Sequence, residues 1–295
     1  MLTIAWIVFQ VGFSKVYSLP TLSTESGNVS LDVWKLQLPV ESVSGGLTTI
    51  STRRLLDGYQ DEFFYRTNGV LNIRTPVWPP NGFTTRGSRF TRTELREHIP
   101  PYWDTSVGTH VMSFRMNIRE TADPRWGKVI VAQIHNGCCA VWLLKLHPSR
   151  LGRVSPLVLF SQFNPAGFGA GYNGTPSTEF FTIDPDYRLD TPFDFEVIAE
   201  NGRVSTIYNG VHVGTVPVNI STCYFKIGTY SGNLRGDVPD DRVSHVQISR
   251  LNITHSNISL NLTDSLGNFT QRPFESNNAL DFIYPFTFLL ILCLL

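Results

Sequence analysis

Tyr224-Phe225-Lys226-Ile227-Gly228-Thr229-Tyr230 alternates apolar and polar positions with period two, the pattern of a β-strand with one buried face. Phe225 and Ile227 point one way, toward a core. Tyr224, Lys226 and Tyr230 point the other way, and Gly228 leaves a gap in their row. Two phenols, an ammonium and a flat spot suit a polar ligand lying across a sheet. A solvent face that merely carries Tyr and Lys has the same pattern. The choice between the two depends on whether neighbouring strands supply matching faces.

Outward from this strand the chain keeps reading as short strands joined by turns. Residues 193–198, 204–208 and 211–216 form a meander whose turns are Asn201-Gly202 and Asn209-Gly210. Residues 243–251 close the domain. Upstream, 110–118, 128–135, 141–146 and 157–160 are strand-like, and a Gly-rich loop spans 165–174. Asn68-Gly69 joins 63–65 to 70–74 as a hairpin. Residues 33–39 are an alternating strand that Pro39 is expected to stop. No window reads as an amphipathic helix. One all-β domain follows, a two-sheet antiparallel β-sandwich or jelly roll spanning 31–253.

The chain has 295 residues, 42% hydrophobic and 12% aromatic, enough for a sizeable core. The formal net charge is +0, so bulk charge points to neither nucleic acid nor a membrane surface. Residues 1–18 read as a signal peptide that lacks a positive start, followed by a polar segment over 19–30. Sequons at Asn28, Asn173, Asn219, Asn252, Asn257, Asn261 and Asn268 support a secreted glycoprotein. Their clustering makes 254–278 a glycosylated stalk. The apolar tail, 279–295, is short for a membrane span, which needs about 20 residues, and fits a removable GPI signal better. Membrane attachment is therefore expected only through this C-terminal anchor. Phosphatidylinositol-specific phospholipase should then release the protein from cells; retention on membranes would favour a short transmembrane helix. The chain is expected to be a monomer.

Cys138, Cys139 and Cys223 allow one bridge within the domain, expected between Cys223 and one of the adjacent pair. A metal site at His135, Cys138 and Cys139 has no familiar zinc spacing, so no metal and no cofactor is expected.

Two further strands match the first. Arg92, Glu94 and Arg96 share a face, spaced about 6.6 Å apart, and Glu94 is placed to hold both guanidinium groups. A surface salt-bridge ladder would look the same. Gln133 and His135 share a face with Ile134 in the core; a lone strand His is more often structural. Arg, Gln, His and Tyr together suit the β-elimination of a uronic acid polymer. A guanidinium and an amide stabilise charge at the carboxylate, a base takes the C5 proton, and an acid protonates the departing O4. As a base, Tyr has an ordinary pKa of about 10 and needs a cationic neighbour.

Residues 92–97 (RTELRE), 133–135 (QIH) and 224–230 (YFKIGTY) resemble, in order, the three signature motifs of the family 7 polysaccharide lyases, the alginate lyases of jelly-roll fold. Residues 34–39 are similar too, and the likeness covers about 31–253. It implies a concanavalin-A-like sandwich that cleaves alginate or another polyuronate. It also implies catalytic roles for Arg92, Gln133, His135 and Tyr230. Arg92 and Gln133 would neutralise the carboxylate. Tyr230 would protonate the leaving oxygen, and His135 would act as base or polarise the carboxylate. Glu94, Arg96, Tyr224, Lys226 and Asn233 would line the groove. One departure stands out: the third motif ordinarily has Gln two residues after its last Tyr, where this chain has Gly232. Other readings are a lyase for glucuronan or a similar polyuronate, and a carbohydrate-binding jelly roll without activity. A glycosidase would need two carboxylates across a cleft, and Glu94 is the only acid on these faces.

Overall fold

The computed structural model describes residues 28–85, 88–123, 128–137, 139–148, 157–163 and 179–256. The signal-peptide and tail readings, Cys138 and the sequons at Asn173, Asn257, Asn261 and Asn268 lie outside them. Asn28, Asn219 and Asn252 lie within them, and all three are exposed. The chain divides into a compact unit ending at Ile258 and a second unit, Ser259–Leu295, also outside the described residues.

In chain order the strands are β1 Trp34–Glu41, β2 Leu47–Ile50, β3 Phe64–Thr67, β4 Val70–Pro76, β5 Arg92–Glu97, β6 Thr109–Glu120, β7 Val129–His135 and β8 Ala140–Pro148. They continue as β9 Leu157–Phe163, β10 Glu179–Tyr187, β11 Phe193–Glu200, β12 Arg203–Tyr208, β13 Val211–Pro217, β14 Tyr224–Ser231 and β15 Val243–Ser256. Among the described residues one sheet has eight strands, ordered β10-β9-β8-β7-β14-β5-β1-β2, and the other seven, ordered β13-β12-β11-β6-β15-β4-β3. Every ladder between these strands is antiparallel.

The period-two pattern produces this arrangement directly. Leu36, Leu95, Ile134, Phe225 and Ile227 of the larger sheet are fully buried in one core with Phe114, Phe195, Val197, Val246 and Ile248 of the smaller. Burying a side chain of this size stabilises by about 1.5–3 kcal/mol. Each predicted Asn-Gly turn has both residues at positive φ: Asn68 and Gly69 at 52° and 79°, Asn201 and Gly202 at 51° and 68°, Asn209 and Gly210 at 48° and 79°. These are the dihedrals of a two-residue hairpin turn whose twist suits the flanking strands.

Two expectations about local structure need correction. Pro39 does not stop β1, which continues to Glu41. The pairing of β1 with β5 covers Trp34–Gln37 only, and the register with β2 is irregular between Gln37 and Glu41. Pro39 thus sits where the ladder asks for no N–H, and its carbonyl accepts from Phe83 N at 2.9 Å. A short helix, Thr52–Leu56, also appears, capped by the Ser51 side chain on Arg54 N. It is too short to show a helical period.

Candidate active site

The motif strands are neighbours in the larger sheet, in the order β7-β14-β5, with β1 beside β5. Direct cross-strand partners share a face, so the pairings define rows across it. One row is Gln133, Lys226, Arg96 and Lys35. The next has Gly228, Glu94 and Gln37, and the third has Ile130, Tyr230 and Arg92. His135 pairs with Tyr224 at the opposite end. The four residues proposed from the sequence as catalytic, Arg92, Gln133, His135 and Tyr230, therefore stand on one face.

Gly228 makes the rows possible. Its φ is +150°, and a Cβ there would lie 2.3 Å from Thr93 O and 2.9 Å from Glu94 Cα. Only glycine lets β14 approach β5 this closely. The β14–β7 register slips between Ile227 and Tyr230 at this bulge, while the unbroken β14–β5 register keeps Tyr230 on the same face as Lys226, the partner of Gln133.

Beneath the surface lies a charged cluster. Glu94 is 1% exposed, Lys226 3% and Gln133 4%. Lys226 Nζ donates to Glu94 Oε2 and Gln133 Nε2 donates to Glu94 Oε1. This corrects the expectation that Glu94 holds two arginines. Arg92 Nη1 is 3.9 Å from the Glu94 carboxylate, and Arg96 instead lies over the Tyr224 ring at 4.0 Å. The reason is the missing side chain at Gly228, which leaves Lys226 a clear diagonal path to Glu94. Burial alone would raise the Glu94 carboxyl; Lys226, Arg92 and the two donated hydrogen bonds outweigh it and hold the carboxyl below its ordinary value. Burial draws the Lys226 ammonium down, with Glu94 opposing. The pair is ionised at neutral pH.

Above this cluster the reactive groups are arranged in pairs. Tyr230 Oη and Ser88 Oγ are 2.5 Å apart, and the Arg92 guanidinium lies over the Tyr230 ring at 4.6 Å. Arg92 Nη2 donates to Thr85 Oγ1 at 3.1 Å, while its Nε is buried with no partner among the described residues. His135 Nδ1 donates to Asn136 O, which leaves Nε2 as the acceptor of a neutral ring. Tyr224 stacks on His135 with centroids 5.4 Å apart. Burial, then the Lys226 charge, pulls the His135 pKa down to about 4. His135 is therefore neutral at pH 7 and able to accept a proton. Among the described residues no group of three His, Cys, Asp or Glu is placed to share a metal ion.

Sequence reasoning missed Ser88 and Thr85, which reach the site from the irregular segment before β5, and Gln37 on β1. Residues 84–97 are rich in arginine, but the hydroxyls among them follow no period that would place them. The motif residue Glu97 faces inward. It is fully buried and accepts from Trp103 Nε1 at 2.8 Å and Phe225 N at 2.8 Å, with His255 Nε2 at 2.6 Å.

The disulfide expectation is also corrected. Cys223 is a free, buried thiol held against the Ile220 and Ser221 carbonyls. Cys139 is disulfide-bonded, and Cys223 is not its partner. Cys223 is fully buried in the core and pairs with Trp103 through its backbone. The departure at Gly232 has a local cause as well. Gly232 N donates to Lys128 O at 2.9 Å, and a Cβ would lie 2.3 Å from Lys128 Cβ. No glutamine fits this backbone. The adjacent Asn233 is buried, and its Oδ1 has no hydrogen-bond partner among the described residues.

Two predictions arise from these electrostatics. Arg92→Ala removes a cation from beside both the phenol and the position of a bound carboxylate. It should lower kcat by about 10²-fold or more, as loss of an oxyanion donor does; steady-state kinetics that show less than a few-fold loss would remove Arg92 from the chemistry. The second concerns acid. Burial pulls both His135 and His245 down to about 4, against 6.5 in an unfolded chain, with Lys226 and Arg74 respectively adding to the shift. Below pH 6.5 the unfolded chain binds protons that the folded protein refuses. Stability should thus be lost as pH falls from about 6.5 toward about 4. Thermal melts across that window should show a falling midpoint, and a smaller fall in His245→Gln; an unchanged difference between the two proteins contradicts the assignment.

The chain is similar to known proteins in both sequence and fold. The sequence model of a family described as alginate lyase matches residues 29–255. The fold is similar to that of the alginate lyase AlgAT5 from polysaccharide lyase family 7, at 26% identity and a TM-score of 0.63, covering 77% of this chain and 95% of that one. It is equally similar to the alginate lyase from Corynebacterium sp., at 25% identity and a TM-score of 0.63, with the same coverage of 77% and 95%. A likeness in fold extends to alginate lyase PA1167 from Pseudomonas aeruginosa, at 24% identity and a TM-score of 0.63, covering 77% of this chain and 100% of that one. No curated protein sequence matches.

Proposed function

Because the chain belongs to the alginate lyase family, we propose that it is a polysaccharide lyase that cleaves alginate by β-elimination. The observation that carries this reading is the convergence of Arg92, His135 and Tyr230 on one face, over the buried Glu94–Lys226–Gln133 cluster. The polymer is anionic, and the face offers cations where its carboxylates would lie.

The reaction follows from these groups. A uronate carboxylate rests against the Arg92 guanidinium and the remaining Gln133 amide proton, while Glu94 holds the amide in place through its other proton. Charge withdrawn there acidifies the C5 proton. The base removes that proton, the C4–O4 bond breaks, a C4=C5 double bond forms, and the acid protonates O4. Tyr230 is the acid, and its phenolate, formed beside the Arg92 cation, serves as base for one epimer. His135, neutral with Nε2 open, takes the proton where the epimer presents it from the other side. Glu94 and Lys226 work from below the surface as a fixed support. Gly232 is the observation that keeps a second polyuronate, such as glucuronan, as the alternative substrate.

Mass spectrometry of the products tests the reading. Elimination gives oligouronates lighter by one water than hydrolysis does. Products at the hydrolytic mass from alginate and from glucuronan would overturn it.

A further inference from the structure

The row Gln133–Lys226–Arg96–Lys35 runs across four adjacent strands, from β7 to β1. Its inner half is internally satisfied, because Glu94 neutralises Lys226 and holds Gln133. Its outer half is not. Lys35 and Arg96 are direct cross-strand partners, and like charges placed so are destabilising on their own. Among the described residues neither makes a salt bridge to an acid. His98 stands close to both, on an exposed position just past β5. Burial and the Arg96 charge both hold the Lys35 ammonium below its ordinary pKa. A row of cations without a counter-ion is an arrangement that a bound anion would stabilise.

A second observation points the same way. Gln37, next along β1 on the same face, has an amide oxygen that is buried without a hydrogen-bond partner among the described residues. A buried acceptor left unpaired costs about 1–3 kcal/mol unless a ligand donor completes it. A sugar hydroxyl is such a donor. On the other side of the Lys35–Arg96 row, Tyr102, 49% exposed, adds an aromatic surface 6.1 Å from the ring of Tyr224, over which Arg96 lies.

We propose that Lys35 and Arg96, with Gln37 beside them, form a second carboxylate-binding position that takes a uronate further along the bound chain. It rests on the lyase reading above. Strands lie about 4.7–4.9 Å apart, so β1 stands about 10 Å from β14 across the sheet. A polymer crossing the strands reaches Lys35 only if it extends beyond the reacting residue, whereas a short oligomer ends before it. The position therefore sets how long a substrate must be for full affinity, and it leaves the bond-breaking step alone.

The test is Lys35→Met, which keeps the apolar stem, with Lys35→Arg as the conservative control. Polymannuronate and polyguluronate are the probes. Lys35→Met should raise KM for the polymer about tenfold at low salt, the worth of one charge-assisted contact, with kcat within about twofold. The penalty should shrink in high salt, be smaller on the shortest cleavable oligomers than on the polymer, and be reversed by Lys35→Arg. Calorimetric binding of the same polymers to Tyr230→Phe protein, with and without Lys35→Met, separates the two claims. Weaker polymer binding in the double variant upholds the position even if the wild type yields no unsaturated product. Equal KM and equal binding with and without Lys35, in a wild type that does yield that product, overturns the position alone.

Discussion

Tyr230→Phe should lower kcat for unsaturated-product formation by about 10³-fold or more, since one side chain then loses its part in proton transfer. The substitution is conservative in every other respect. The ring keeps its place under the Arg92 guanidinium and its edge contact with Phe90, at 5.9 Å. What disappears is the hydroxyl with its hydrogen bonding, which includes the bond to Ser88. A hydrogen bond of that kind is worth about 1 kcal/mol, a small part of the stability of the domain. Binding of polymannuronate and the thermal midpoint should therefore stay close to wild type. A variant that kept most of the wild-type rate would remove Tyr230 from the chemistry and leave proton transfer to His135 with another acid.

Glu94→Ala should have the largest effect on the fold of the site. Glu94 is the only carboxylate within ion-pair distance of Lys226 among the described residues, and both are buried. Removing it leaves an ammonium unpaired inside the protein, which costs about 3–5 kcal/mol when a buried pair is broken. It also frees the Gln133 amide to rotate away from the substrate carboxylate. Denaturant unfolding should show that loss, and activity should fall with it. Glu94→Ala with Lys226→Met removes both charges and should recover much of the stability but little of the activity. A double variant no more stable than Glu94→Ala alone would contradict the pairing of these two residues.

The fold was legible wherever a local rule governs it. Period-two alternation located β5, β7 and β14, and three Asn-Gly pairs located three hairpin turns at positive φ. The shared face of Arg92, Gln133, His135 and Tyr230 was legible for the same reason, since parity fixes a side once a strand is recognised. What lay beyond reach depends on how strands are offset. Whether Glu94 meets arginine or lysine turns on the β14–β5 register and on the gap at Gly228, neither of which local spacing contains. Pro39 read as a stop because nothing local marks the irregular β1–β2 pairing beside it. Ser88 and Thr85 come to the site from irregular backbone, where no period exists to place a hydroxyl. The cysteine pairing failed because parity turns Cys223 into the core beside Trp103 but says nothing of where the loop that carries Cys139 runs.

The most direct measurement is ultraviolet absorbance during incubation of the protein with alginate, followed alongside the appearance of new reducing ends. The account predicts that the two rise together, one unsaturated end for each bond broken, because the C4=C5 double bond forms in the step that breaks the chain. New reducing ends without ultraviolet absorbance would mean hydrolysis, and neither signal from any polyuronate would mean binding alone; each result would contradict β-elimination at the Arg92–His135–Tyr230 face.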